Sequence, residues 1–326
     1  MEMTKKKILF SFVMLLTTFA VVIFSFISSL AAQTVSLRGG VSINYSKSAT
    51  LDSGKTINSA IKKYEKVVFD YGHNHPEIVA SKPRSGLYDT ENLGYANGGI
   101  SLFADGATAY FLCKGEIYAN PDCSHMFYDA GSTYYIEFNN FNTSNVTNMN
   151  YMFCDSAITD ELDISHFDTS SLEYAQHMFY GCVNLWKLNI SNFNASKVKG
   201  LPSMFALCSG LAEINMTNFI TTGVENMYGM FKACSTLEKL DLSSFDTSNV
   251  NYMIDMFSSC SNLKTIYVSD LWTNDAVFSE AGSSGTFSGC TSLVGECGWG
   301  YNEYYTSATY ARVGTSSERG YLTLKK

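Results

Sequence analysis

Histidine is scarce in this sequence (5 of 326 residues), proline is scarcer (4), and charged side chains make up only 16%. Low charge and low proline beside 46% hydrophobic residues exclude a disordered chain. Paired Cys-x-x-Cys spacing is missing, which removes the usual tetrahedral zinc site. No Gly-x-Ser-x-Gly, His-Glu-x-x-His or Walker loop occurs, so no familiar catalytic constellation is written into the chain. His73 and His75 in Gly72–Pro76 supply half a metal site at most, and an exposed turn explains them better; no metal and no cofactor is expected.

Long apolar runs are also missing, with one exception. Lys5, Lys6 and Lys7 precede Ile8–Phe26, a 19-residue stretch that matches both an export signal and a bilayer span. Ser28–Gln33 (SSLAAQ) offers a cleavage site after Ala31 or Ala32. Residues 1–32 are thus a signal peptide or an N-terminal membrane anchor, and either one sends the rest of the chain outside. The expected protein is exported and held at the cell surface, or secreted if the segment is cleaved. Its only contact with a membrane is through residues 8–26, and no Leu-Pro-x-Thr-Gly sorting motif closes the chain. The first 32 residues carry +2 of the formal −8, leaving −10 on the remainder. That acidity argues against nucleic acid as a partner.

What the sequence has in abundance is repetition. Met126, Met152, Met178, Met204, Met230 and Met256 each precede a phenylalanine and are spaced by 26 residues without a slip. A fixed period of that length marks a repeat architecture. The length of 326 residues allows one elongated array with end modules or two ordinary domains, and the period favours the array. Within Leu237–Ser243, apolar positions alternate with a charge, the period of a short half-buried strand. Val250, Met253, Met256 and Phe257 fall at i, i+3, i+6 and i+7, the stripe of a short helix. Ser248 stands where a hydroxyl would cap that helix, and Ser144, Ser170, Ser196 and Thr222 repeat it. Strand plus crossover helix predicts a right-handed α/β solenoid of leucine-rich-repeat type with about six to seven coils.

The run L-x-x-L-D-L-S-x-F-D-T-S-N-V-x-x-M-x-x-M-F-x-x-C, from Leu237 to Cys260, resembles the 26-residue repeat of BspA-type bacterial surface proteins. The likeness extends over Asp122–Leu293. Ile117–Phe127 resembles that family's entry coil and Ala308–Leu324 its closing segment. The resemblance implies an extracellular, non-enzymatic leucine-rich repeat, implicated in adhesion or host contact in some members.

The ends need covering, because a repeat array exposes an apolar face at each terminus. Residues 33–60, rich in Ser and Thr, read as a stalk; 61–120 as a β-rich N-terminal cap; 121–293 as the solenoid; and 294–326 as a Tyr-rich C-terminal cap. Thr286, Phe287, Cys290 and Leu293 mimic a repeat at a spacing of 30 instead of 26, so four residues should loop out between Thr273 and Gly285.

Nine cysteines in an exported chain suggest disulfides. Five of them, Cys182, Cys208, Cys234, Cys260 and Cys290, share one column, where stacked side chains point in parallel and five cannot all pair. Buried free thiols are expected there. Cys113 and Cys123 lie outside the column and leave a bridge open.

The outer strand face is the expected binding surface. One column runs Tyr135, Glu161, Lys187, Glu213, Lys239, Thr265, alternating in sign through its middle, as a ladder that fixes register would. Trp186, Tyr135 and Tyr267 break the polar pattern and are candidate anchors for a partner, with Lys187, Glu213, Lys239 and Asp241 beside them. Carboxylates at Glu137, Asp163 and Asp241 hint at a glycosidase pair, but a solvated strand face explains their repetition. The Asn-x-Ser/Thr sites at Asn142, Asn145, Asn189, Asn194 and Asn215 read as turn residues. The expected function is a non-enzymatic surface module that binds an extracellular protein or glycan. The alternatives are a structural envelope component without a foreign ligand and, more remotely, an unrecognised hydrolase.

Overall fold

A helix needs each N–H to reach back four residues, and two residues of every repeat prevent that. The residue before each repeat methionine (His125, Tyr151, His177, Ser203, Gly229, Asp255) has φ between 53° and 60°. The residue three after it (Asp129, Asp155, Gly181, Leu207, Ala233, Ser259) has φ between 48° and 71°. A left-handed residue every fourth position turns the chain out of the right-handed helix. The freed donors turn instead to the next repeat: the Phe153 N–H donates to the Met178 carbonyl at 2.8 Å, Phe179 to Met204 at 2.9 Å and Phe231 to Met256 at 2.8 Å. Val250, Met253, Met256 and Phe257 are fully buried, but on a run of turns.

The computed structural model describes residues 49–80, 100–113, 115–277 and 280–326. All belong to one unit, Tyr45–Lys326; the other, Met1–Asn44, with the Ile8–Phe26 segment, lies outside the described residues. Among the described residues no helix is long and apolar enough to cross a membrane.

Strands β1 (Ala49–Thr50) and β5 (Ile117–Tyr118) pair in parallel. Strands β2 (Lys66–Tyr71), β3 (Ser101–Asp105), β4 (Thr108–Cys113) and β6 (Tyr135–Phe138) form a mixed sheet in the order β3-β4-β2-β6, antiparallel only between β3 and β4. Two parallel sheets follow. One holds β7 (Asp160–Asp163), β8 (Leu185–Asn189) and β9 (Glu213–Asn215). The other holds β10 (Lys239–Asp241), β11 (Thr265–Val268) and β12 (Leu322–Leu324). Register between successive repeats keeps the 26-residue step, as in Leu188↔Ile214 and Leu240↔Ile266.

Among the described residues the α-helices are few and short: α1 (Gly54–Ile61), α2 (Pro76–Ala80) and α3 (Glu280–Ser283). None of them is a repeat crossover. The expected leucine-rich-repeat-like α/β solenoid is therefore corrected to small parallel and mixed sheets joined by turns. The serine caps fall with it. Asx turns take their place: the Ser144, Ser170, Ser196 and Ser248 N–H groups donate to Asn142, Asp168, Asn194 and Asp246 Oδ1, two residues earlier.

The stalk reading of 33–60 also changes in its described part. Ile57, Ala60 and Ile61 of α1 are buried in the common core, at i, i+3 and i+4 in an otherwise polar stretch. Asn58 Nδ2 donates to the Tyr128 carbonyl at 2.8 Å and ties α1 to the first repeat. Helix α3 falls in the inserted stretch before Thr286.

Phenylalanines run through the core as a ladder. Phe127, Phe153, Phe179, Phe205, Phe231, Phe257 and Phe287 stack with centroids 5.2 to 5.8 Å apart. That spacing is one strand step plus the sideways slip that stacked rings prefer. Tyr321 closes the ladder edge-on at 5.1 Å from Phe287.

Candidate binding surface

Seven residues were expected to share one binding face, and the structure distributes them over three sheets. Tyr135 opens β6, opposite Lys66 in register. Trp186 and Lys187 lie on β8, and Glu213 faces Lys187 from β9. Lys239 and Asp241 lie on β10 and Tyr267 on β11. Trp186 and Tyr135 are each 50% exposed, while the core-facing Leu185 and Leu188 beside Trp186 are closed off completely.

The C-terminal strand occupies part of the expected face. Tyr267 is half-buried between Asp241 and Thr323. Asp241 receives the Lys325 ammonium at 2.5 Å and the Ser243 N–H at 3.0 Å. Burial pushes the Asp241 carboxyl up, but these partners outweigh it and hold it below its ordinary value. Asp241 and Tyr267 are thus engaged within the chain, while the Trp186 and Tyr135 rings stay open.

The alternating charge ladder closes at one rung. Lys187 Nζ lies 2.9 Å from Glu161, whose carboxylate raises the lysine pKa. A second pair, Glu238 with Lys264 at 2.9 Å, uses the column one residue earlier. The suspected glycosidase carboxylates each have another partner. Glu137 pairs with Lys66 at 2.5 Å, and Asp163 accepts from Ser165 and from Asn189 Nδ2. Asn142, Asn189, Asn194 and Asn215 all accept the N–H two residues on, as turn residues do.

The cysteine column has a bonding role that packing arguments missed. Sγ of Cys182, Cys208, Cys234 and Cys260 each donates at 3.0 Å to the phenylalanine carbonyl 29 residues earlier, and Cys290 repeats the contact to Phe257 at 2.9 Å. All five are buried free thiols. Burial pushes Cys260 up to about 12 and raises Cys208 and Cys234 well above the usual thiol range. Cys123 is a free thiol donating to the Asn120 carbonyl at 3.1 Å, so no Cys113–Cys123 bridge forms.

The repeat that builds this surface matches a described family. Residues 121–213 and 186–293 fit the model "Mycoplasma protein of unknown function, DUF285". The two matches together span more than half of the chain. The chain belongs to the DUF285 family. Comparison with curated proteins and with solved structures finds no match.

In this DUF285 chain the left-handed position before the repeat methionine carries a feature the sequence reading passed over. His125, Tyr151 and His177 stack, with centroids 5.0 and 4.8 Å apart. Both imidazoles bury an Nδ1 without a partner. Burial lowers both pKa values, helped at His125 by Lys55, and so favours neutral rings. The signal was the His-Met-Phe triplet at 125 and again at 177. His75 is engaged elsewhere, with Nε2 3.0 Å from Asp70. Among the described residues no group of three or more His, Cys, Asp or Glu side chains is placed to hold a metal ion.

Proposed function

We propose that this protein is a BspA-like surface repeat protein, exported through its N-terminal apolar segment, that binds an extracellular protein or glycan without catalysing a reaction. The observation that supports this reading most is Trp186. A large aromatic ring, half exposed on a strand whose inner face is fully packed, is a typical anchor for a partner. Around it, Glu161, Lys187 and Glu213 form a polar rim of both signs. Such a rim steers and aligns a partner more than it binds one.

The test is a screen of the full chain against extracellular proteins and glycans, repeated with Trp186→Ala. A partner that binds the wild type and is lost with the variant, at an unchanged thermal midpoint, supports the reading. A partner that binds both equally, or no partner at all, refutes the surface chosen here. The N-terminus of the exported protein decides between the two forms. A chain that keeps Ile8–Phe26 is tethered, and one that begins at Ala32 or Gln33 is released.

A further inference from the structure

Along one column of repeat positions, from Pro121 to Tyr252, the backbone hydrogen-bond ladder is regular except at one step. At the equivalent position in other repeats one carbonyl accepts two N–H groups from the next repeat. Pro121 accepts from Thr147 and Asn148, Thr147 from Glu173 and Tyr174, Lys199 from Glu225 and Asn226, and Glu225 from Asn251 and Tyr252. Glu173 should accept from Lys199 and Gly200, and among the described residues it does not. The return bond is missing too. Met149 donates to Tyr174, Leu201 to Asn226 and Met227 to Tyr252, but Ala175 does not donate to Gly200. The bridges Asn148↔Tyr174 and Gly200↔Asn226 flank the gap on both sides, so the opening is one step wide.

The local sequence explains the opening. Gly200 replaces the Asn or Tyr found at the equivalent positions 148, 174, 226 and 252, and Pro202 follows two residues later. Proline restricts the residue before it and leaves the preceding turn less able to adapt. The result is a notch of about 330 Å³ lined by Glu173, Tyr174, Gln176, Lys197, Lys199 and Gly200. Its volume is at the lower end of small-ligand sites, roughly 300–1,000 Å³. Tyr174 is 49% exposed. Lys199 is paired with Glu225 at 2.8 Å, while Lys197 has no ion pair among the described residues.

We infer that this notch binds a single sugar residue, with the aliphatic face of the sugar ring on Tyr174. Its hydroxyls would meet the backbone groups that the missing ladder step leaves open. The chemistry selects that class. Backbone N–H and C=O groups left without their usual partners favour a ligand that both donates and accepts, and each sugar hydroxyl does both. The Gln176 amide, the Glu173 carboxylate and the Lys197 ammonium add a mixed rim. An extended peptide also donates and accepts, but it gains affinity by pairing along several residues of a strand edge. Here the ladder is closed on both sides of one step. The site is separate from the Trp186 surface and does not depend on it.

The full chain is titrated with methyl glycosides of galactose, mannose, glucose and N-acetylglucosamine, using saturation-transfer NMR and calorimetry. At least one should bind. Tyr174→Ala should weaken that sugar on the order of tenfold, the loss of one stacking anchor, while Tyr174→Phe retains it. Gly200→Asn restores the side chain of the neighbouring repeats and should abolish binding. Its Cβ would lie 3.3 Å from that of Asn226, so a thermal midpoint accompanies the measurement, and the surface variant Tyr174→Ala decides the matter if this one does not fold. Trp186→Ala should leave sugar binding unchanged, so the two surfaces fail or succeed separately. The inference is overturned if no glycoside binds, if Tyr174→Ala binds as the wild type does, or if a short extended peptide takes the notch instead.

Discussion

The hydroxyl of Thr247 is fully buried between two repeats, where it donates to the Thr273 carbonyl at 2.6 Å and accepts the Thr273 N–H at 2.7 Å. Thr221 makes the same pair of bonds to Asp246. Replacing Thr247 with valine keeps the shape and removes both bonds, stranding a buried donor and acceptor. The expected cost is about 1–3 kcal/mol in denaturant unfolding, with an unchanged m-value. Asp70 carries a pH dependence at the same scale. Burial opposes its ionisation, but the Tyr71 N–H, Asn74, His75 and Asn139 outweigh that and hold the carboxyl below 3.8. As pH falls the unfolded chain therefore takes up the proton first. The contribution of Asp70 is complete above 3.8 and disappears as pH drops through the lower folded value. Asp70→Asn should be less stable than the wild type at neutral pH, and the difference should shrink on acidification. A difference that grows in acid would contradict the assignment.

At the scale of the element, the apolar stripe at Val250, Met253, Met256 and Phe257 was legible and its backbone was not. A run of turns that places alternate donors on the next repeat buries the same positions as a helix does. Apolar spacing cannot separate the two. The separating feature is the left-handed residue at two positions per repeat, and those positions hold His, Tyr, Ser, Gly, Asp, Leu and Ala, which announce nothing by composition. Gly181, Gly229, Gly285 and Gly289 were the partial hint. Far-UV circular dichroism of the full chain should accordingly show little helical signal from the repeats. A helical double minimum strong enough for six crossover helices would contradict the turn assignment.

For the molecule as a whole, the 26-residue period specified which side chains meet. It predicted the buried cysteines and the strand register, because identical positions in successive repeats are neighbours, and the Phe ladder follows the same step. It did not reveal places where repeats differ in backbone pairing. The residues Lys197–Pro202 depart from the repeat consensus, and that departure was visible in the sequence. Its consequence, a missing ladder step at Tyr174, required the coordinates. The C-terminal strand presents the same contrast: its sequence read as a cap, but its cover over Asp241 and Tyr267 depended on where Lys325 reached. Amide hydrogen exchange on the full chain tests the central claim, that backbone bonds join the repeats along the Pro121–Tyr252 column, with one step of that column left open. The Phe153, Phe179, Phe205 and Phe231 amides should be among the slowest to exchange, together with Glu173, Tyr174, Glu225 and Asn226. Lys199 and Gly200 should exchange far faster than these counterparts. Uniform protection through Lys199 and Gly200, or fast exchange at the four phenylalanines, would contradict the account.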